Sequence, residues 1–288
     1  MSTEPASSLP LAIAELVKVV SLGGGRGISL TSQPRGSLGA QGKPFEIFAK
    51  NMFAQCLGAL SSHVDAAWER TFSWRGSANH PPDFMIRGGD AVEVKTHKGI
   101  GQIQLNSSPP KRKLKATDPR IQIGCKNSEV WNEKDFLYFI GKTNDEYVEA
   151  LWLIDGRCMA DEEKTYDLIF DKISLTVSDL GGEPGNEIGR LNDVDNLKAT
   201  SLRVRAMWLL EHPANLFEAI FTPTKSNSFV LNVLISLEKW NTYSTKEKNA
   251  VNELRGHDVE INQIQIPDSG KSDQPLQAVH ISWHVKID

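Results

Sequence analysis

The chain has 288 residues, 40% of them hydrophobic and 24% charged, with a formal net charge of −4. Its length suits one large domain or two small ones, and the net acidity argues against a protein that coats nucleic acid without selection. No apolar run reaches the roughly 18 residues of a membrane span, so no membrane partner is expected, and the three widely spaced cysteines, Cys56, Cys125 and Cys158, read as free thiols of a reducing cytoplasm.

Residues 8–20 carry Leu9, Leu11, Ile13, Ala14, Leu16, Val17 and Val20 at helical spacing, with Ser8 and Pro10 suited to the helix start. Residues 21–42 are rich in Gly, Ser and Pro and read as a loop. Its Gly23-Gly24-Gly25-Arg26-Gly27 run lacks the Gly-Lys-Ser/Thr ending and the strand-to-helix setting of a phosphate loop. A second helix is expected from Pro44 to Leu60. There Phe45, Phe48, Ala49, Met52, Phe53 and Cys56 form one stripe, and Pro44 suits the first turn. Glu46 lies off that stripe in the first turn. Trp68 to Trp74 reads as a strand.

The run Pro82-Asp83-Phe84-Met85-Ile86-Arg87-Gly88-Gly89-Asp90-Ala91-Val92-Glu93-Val94-Lys95 follows. Phe84-Met85-Ile86 and Ala91-Val92 are strand-like, and Gly88-Gly89 supplies the positive φ a tight hairpin needs. If the loop is Arg87-Gly88-Gly89, Asp83 falls opposite Glu93 on one face, roughly 5 Å away. Lys95, two residues on, shares that face, while Val92 and Val94 point into a core. Asp90 is then only a turn residue. A loop shorter or longer by one residue would break this alignment. Two acids and an amine so placed can hold Mg²⁺, a hard cation that takes oxygen ligands, through Asp83, Glu93 and the Val94 carbonyl. Such a cluster can cut a phosphodiester, with Lys95 orienting or deprotonating the water and neutralising charge on phosphorus. The same residues also fit a surface hairpin with solvated charges.

Beyond the hairpin, Ile100 to Leu105 is strand-like and Pro109-Pro110 stops it. Asp135 to Gly141 and Val148 to Ile154 are expected strands, with Asn144-Asp145 turning between them. Tyr166 to Ser174 fits more than one element. Arg203 to Leu210 is apolar with two bases, Phe229 to Leu237 is apolar, and His280 to Ile287 alternates as a terminal strand. No internal repeat or linker divides the chain. A single domain over residues 1–288 is therefore expected: an N-terminal helix and glycine-rich loop to residue 36, a core over 37–215 and a C-terminal extension over 216–288.

Charge is unevenly distributed. Residues 95–126 hold eight Lys or Arg against one acid, Asp118, and residues 127–196 hold 17 acids and six bases. A basic segment that begins at the candidate metal site suits a phosphate-backbone substrate, and the acidic middle suits a solvated surface. Gln102 and Gln104 share a face of their strand. Gln104, Asn106, Ser107 and Ser108 are candidate contacts to phosphates or base edges, or else a solvated face and an Asn-Ser turn. Lys111, Arg112 and Lys113 are candidate backbone clamps, or a plain surface charge run. Arg203 and Arg205 share one face if they lie on a strand and suit guanine in the major groove, or else they pair with the acidic middle. The seven histidines show no metal-ligand pattern.

The hairpin run, Leu105-Asn106-Ser107-Ser108-Pro109-Pro110-Lys111, Glu187-Ile188-Gly189-Arg190-Leu191-Asn192-Asp193-Val194-Asp195 and Leu202-Arg203-Val204-Arg205-Ala206-Met207-Trp208 resemble the NgoPII-type restriction endonucleases, within the wider PD-(D/E)xK nucleases. The segment from Gly39 to Ala54 is similar to that family's N-terminal helix, where an acid falls at Glu46. The resemblance implies an α/β fold with a central mixed β-sheet flanked by helices. It implies Mg²⁺-dependent, sequence-specific hydrolysis of double-stranded DNA at a short GC-rich palindrome such as GGCC, by a homodimer whose two-fold axis matches the site. Asp83 and Glu93 would bind the metal, and Lys95 would be the catalytic lysine. Glu46 would be a helix acid near the metal, or else an exposed acid favouring the helix dipole. A bacterial cytoplasmic location and a cognate DNA methyltransferase follow from the same resemblance. This sequence departs from the family at Thr96-His97 and at Asn196-Leu197-Lys198, which bears on the target rather than the chemistry. Two other readings keep DNA as the partner: a structure-specific repair or recombination nuclease of the same fold, and a non-catalytic DNA-binding protein. The intact Asp83, Glu93 and Lys95 argue against the second.

Overall fold

The structure is a computed structural model that describes residues 5–23, 28–35, 43–77, 80–106, 108–144, 146–184, 188–224 and 227–287. Helix α1 (Leu9–Leu22) has Ser8 at its cap position and Pro10 in its first turn, and buries Leu9, Ile13, Leu16 and Val17. A short strand, β1 (Ile28–Ser29), follows. Helix α2 (Pro44–Phe53) buries Phe45, Phe48, Ala49, Met52 and Phe53. It is shorter than its stripe suggests, because Gln55 takes a φ of 54°, a left-handed turn that ends a helix. Helix α3 (Ser61–Thr71) occupies the first part of the expected Trp68–Trp74 strand, and β2 is Phe72–Trp74 alone. The buried residues of α3 are Val64, Ala67, Trp68 and Thr71, a three-and-four spacing that belongs to a helix and outweighs the strand preference of its aromatics.

Strands β3 (Phe84–Ile86) and β4 (Ala91–His97) form the expected hairpin, and β5 (Ile103–Asn106) and β6 (Lys113–Lys115) are short. A single turn, α4 (Ile123–Lys126), precedes the long β7 (Glu133–Thr143) and β8 (Tyr147–Asp155). Then come α5 (Gly156–Met159) and α6 (Glu163–Asp179), which takes up the segment left open by the sequence. Strands β9 (Glu183–Pro184), β10 (Gly189–Leu191) and β11 (Leu202–Val204) make a small separate sheet, and β12 (Met207–Leu210) pairs with β5. After α7 (Pro213–Leu216) come β13 (Ser228–Ser236), α8 (Leu237–Thr242), α9 (Thr245–Asn252), β14 (Glu260–Asp268) and β15 (Lys271–Lys286).

The main sheet runs β14-β15-β13-β8-β7-β4-β3-β2, with β1 against β8 and β6 against β7. The β4–β7 and β13–β8 pairs are parallel and the others antiparallel, so this is a mixed sheet in an α/β fold. Alternation along each strand feeds two cores. Phe84, Val92, Leu137, Phe139, Leu151 and Leu153 pack on one face with α1, α2 and α3. Met85, Ala91, Phe136, Tyr138, Ile140, Trp152 and Ile154 pack on the other. Gly141 marks where α2 meets the sheet: a Cβ there would overlap the Phe45 ring. No described helix is long and apolar enough to cross a membrane, and all three cysteines are buried and free.

Candidate active site

The β3–β4 turn sets the site. The Ile86 N–H donates to the Asp90 carbonyl at 2.9 Å and the Gly89 N–H to the Ile86 carbonyl at 3.0 Å. The loop is therefore Arg87-Gly88-Gly89, with Gly88 at φ 68°, a region glycine enters without steric cost. Phe84 pairs with Val92 and Met85 with Ala91. The same register continued sets Asp83 opposite Glu93, and period-two alternation gives Asp83, Glu93 and Lys95 the face that carries Met85 and Ala91. Gly76, at φ 98°, lies so close to the Asp83 carbonyl that a Cβ would overlap it.

Electrostatics at this spot are strained by excess negative charge. Asp83 Oδ2 accepts the Val94 N–H at 2.7 Å, and Lys95 Nζ donates to Glu93 Oε1 at 2.7 Å. The other oxygen of Glu93, Oε2, is buried and has no hydrogen-bond partner among the described residues. Burial pushes the Asp83 carboxyl up to about 7, reinforced by the charge of Glu93 and opposed by Lys95 and the Val94 N–H. Burial also works against the charge on Lys95, but Glu93 and Asp83 outweigh it and hold the ammonium above the usual lysine range. Glu46, at the start of α2, adds to the negative field on Asp83. Its Oε1 takes Lys50 Nζ at 2.5 Å, which also donates to the Arg75 carbonyl at 2.8 Å.

These residues fit a divalent, oxygen-preferring cation. An unpartnered buried carboxylate oxygen stands beside a second acid held ionised only at an electrostatic cost, and a cation relieves both. No group of three or more His, Cys, Asp or Glu among the described residues could hold a metal. Two carboxylates would leave the remaining positions to the Val94 carbonyl and to water, which Mg²⁺ retains readily.

Asp83, Glu93, Val94 and Lys95 line a cleft of about 1110 Å³. Glu46, Ser108, Arg203 and Arg205 line it too, so the fold gathers residues from α2, the end of β5 and the β11 edge around the hairpin. Arg203 sits opposite Arg190 in the β10–β11 pair, and Arg205 lies just past β11. Lys43, His80 and Arg120 also line the cleft and are residues the sequence did not single out. His80 directly precedes Pro81-Pro82-Asp83, and Arg120 lies within the basic segment, which are the signals that point to them. A slightly larger cavity, about 1210 Å³, lies against α1, β1 and β8 and shares none of these residues.

Other candidates fall elsewhere. Gln104 is exposed on β5, opposite Leu209 of β12, and is not among the cleft-lining residues. Asn106 pairs with Met207 through its backbone; its side chain and the whole of Ser107 lie outside the described residues. Lys111 is buried with its ammonium on Asp118 at 2.5 Å. Arg112 donates to the Ala160 carbonyl at 2.7 Å and to Asp268 at 3.3 Å. Lys113 is exposed and holds Glu133 at 2.6 Å. None of these three lines the cleft. Lys111 and Arg112 brace the interior of the fold, a placement that neither a phosphate clamp nor a plain surface charge run anticipates. Asp90 likewise is more than a turn residue: it is buried against Lys239 Nζ at 2.5 Å.

Comparison with known proteins bears on the same region. A sequence model described as NgoPII restriction endonuclease matches residues 13–267. The type II restriction enzyme NgoPII of Neisseria gonorrhoeae is 31% identical over 267 residues, covering 90% of this chain and 94% of the relative. No solved structure matches. The matched residues run from α1 into β14 and include the hairpin, the cleft wall and both faces of the sheet. On that extent of similarity, the chain belongs to the NgoPII restriction endonuclease family.

Proposed function

We propose that this restriction endonuclease hydrolyses both strands of duplex DNA at a short, GC-rich palindrome, with Mg²⁺ held by Asp83, Glu93 and the Val94 carbonyl. The observation that carries the reading is Glu93: one carboxylate oxygen is buried without a partner, and the other holds the Lys95 ammonium at 2.7 Å. Bound there, the divalent ion would supply Lewis-acid activation of the scissile phosphate. Lys95, held protonated by its two acid neighbours, orients the attacking water and offsets charge growing on phosphorus. A raised pKa suits that role better than removal of a proton from water. Water adds at phosphorus, the bond to the 3′-oxygen breaks, and a 5′-phosphate and a 3′-hydroxyl remain.

Arg203, Arg205 and Ser108 contact the duplex from the cleft wall, the arginines through guanine edges or phosphate oxygens. Gln104 and Asn106 of β5, with Ser107 next in the sequence, are the further residues assigned to DNA contact. A palindrome asks for two such sites related by a two-fold axis, hence a homodimer, and a cognate methyltransferase protects the host DNA. Digestion of a plasmid of known sequence, with Mg²⁺ or with EDTA, tests the proposal. Discrete fragments with Mg²⁺ and intact plasmid with EDTA are expected, and sequencing the ends reads the site and the cut. A smear, or cutting confined to branched DNA, would replace it with a structure-specific nuclease; retention without cutting would replace it with a DNA-binding protein.

A further inference from the structure

We propose that Arg190 and Arg203 together seat a backbone phosphate of the DNA at the rim of the cleft, which makes Arg190 a binding residue of this enzyme. The inference rests on the duplex-DNA reading above and deepens it by naming the contact. Strands β10 and β11 pair antiparallel, with Gly189 opposite Val204, Arg190 opposite Arg203 and Leu191 opposite Leu202. Directly opposed residues share a face of a sheet, so the two arginines lie side by side. The other face is turned to α6: a Cβ on Gly189 would overlap Val177 Cγ1, and Ser174 Oγ donates to the Ile188 carbonyl at 2.9 Å. Arg190 and Arg203 therefore project away from α6, and both are exposed. Arg203 lines the cleft that holds Asp83, Glu93 and Lys95, as does Arg205, two residues on and on the same face by alternation.

Charge selects the occupant. Like charges set directly opposite each other in an antiparallel pair repel. Glu183 flanks Arg190 on its other side, through the β9–β10 pair, but among the described residues no ion pair joins the two. Three guanidinium groups against this one carboxylate leave the face positive. An anion set between Arg190 and Arg203 turns their repulsion into attraction, and a phosphate offers oxygens that two guanidinium forks can take at once. Position separates backbone from base. Arg203 is among the cleft-lining residues and Arg190 is not, so Arg190 stands beyond the cleft's edge. Phosphates run along the outside of a duplex, while base edges lie within its grooves. A duplex lying in the cleft thus presents a phosphate, not a base, to Arg190.

Binding of the full chain to labelled duplexes, followed by fluorescence anisotropy in EDTA across a salt series, tests this. One duplex carries the site recovered from the plasmid digest and the other a scrambled sequence, which serves alone if the digest yields no site. Arg190→Gln should weaken both by the same factor, about tenfold at low salt. It should also flatten the slope of log K against log salt by about one. Arg190→Lys keeps the charge and should keep the slope. The urea midpoint of Arg190→Gln without DNA should not fall, because the side chain is exposed and braces nothing. An unchanged slope, a loss confined to the cognate duplex, a lysine variant no better than glutamine, or a lowered urea midpoint each overturns the proposal. Wild type that binds duplex with the expected dependence on Arg190 but never cuts sinks the nuclease reading alone. Discrete cutting by an enzyme whose salt slope ignores Arg190→Gln sinks the phosphate seat alone.

Discussion

At the residue scale, the proposed chemistry rests on how Asp83, Glu93 and Lys95 share charge. Lys95→Ala leaves both acids in place and removes the ammonium. Cleavage is expected to fall by about two to three orders of magnitude or more, while DNA is still retained in a gel shift; cutting at near the wild-type rate would remove Lys95 from the mechanism. Asp83 gives a pH signature. Its carboxyl lies near 7 in the fold, mainly through burial, against an ordinary 3.8. Between those values the folded protein keeps a proton that the unfolded chain has lost, so metal-free stability falls as pH rises through the window. Asp83→Asn should therefore have the higher urea midpoint above pH 7 and lose that advantage as pH falls toward 3.8. Mg²⁺ should raise the midpoint of wild type above pH 7 and leave that of the variant unmoved. The acid–acid–amine alignment was legible in the sequence because it is local: a glycine turn and strand alternation within one short run determine it. The partner of Asp90 was not, because Lys239 lies 149 residues away.

Among elements, the contacts that hold the hairpin to the rest of the sheet are open to substitution. Lys239, on α8, reaches Asp90 at 2.5 Å and Asp135 at 3.1 Å, and so ties the end of the β3–β4 turn to the start of β7. Lys239→Met strips a buried acid of its cation and is expected to cost about 3–5 kcal/mol in urea denaturation. Adding Asp90→Asn should recover part of that loss, since the two residues are coupled. Gly141→Ala drives a methyl group into the Phe45 ring, and about 1–3 kcal/mol of destabilisation should appear in the same measurement. The stripes of α1 and α2 were legible because apolar residues recur at helical spacing. The Trp68–Trp74 segment misled because aromatics suit strands, while the burial of Val64, Ala67 and Trp68 that makes its first part helical depends on α2 and the sheet beneath it.

On the scale of the whole molecule, two buried histidines couple stability to pH. His212 caps α7 through its Nδ1, which accepts the Ala214 N–H at 3.1 Å, and packs on Trp152. His280, on β15, stacks on Phe221. Burial lowers both to about 4, with the charge of His97 adding to the shift at His212. The unfolded chain takes up protons near the ordinary 6.5 while the folded protein does not. Stability is thus fully present above 6.5 and is lost as pH falls toward 4. In the Asp83→Asn background, where the opposing carboxyl is gone, the urea midpoint should drop between those two values. A flat midpoint would mean that both histidines are solvated.

What the sequence by itself determined was local in origin: the three-residue β3–β4 turn, the shared face of Asp83, Glu93 and Lys95, the stripes of α1 and α2, and the resemblance that named the family. Turn geometry and side-chain periodicity act over a few residues and need no distant partner. Tertiary structure alone decided the rest. It brought Arg203 and Arg205 to the cleft and sent Lys111 and Arg112 inward to acids. Burial is a property of surfaces meeting across the whole chain, and it turns identical residue types into a cleft lining or a brace according to what packs against them.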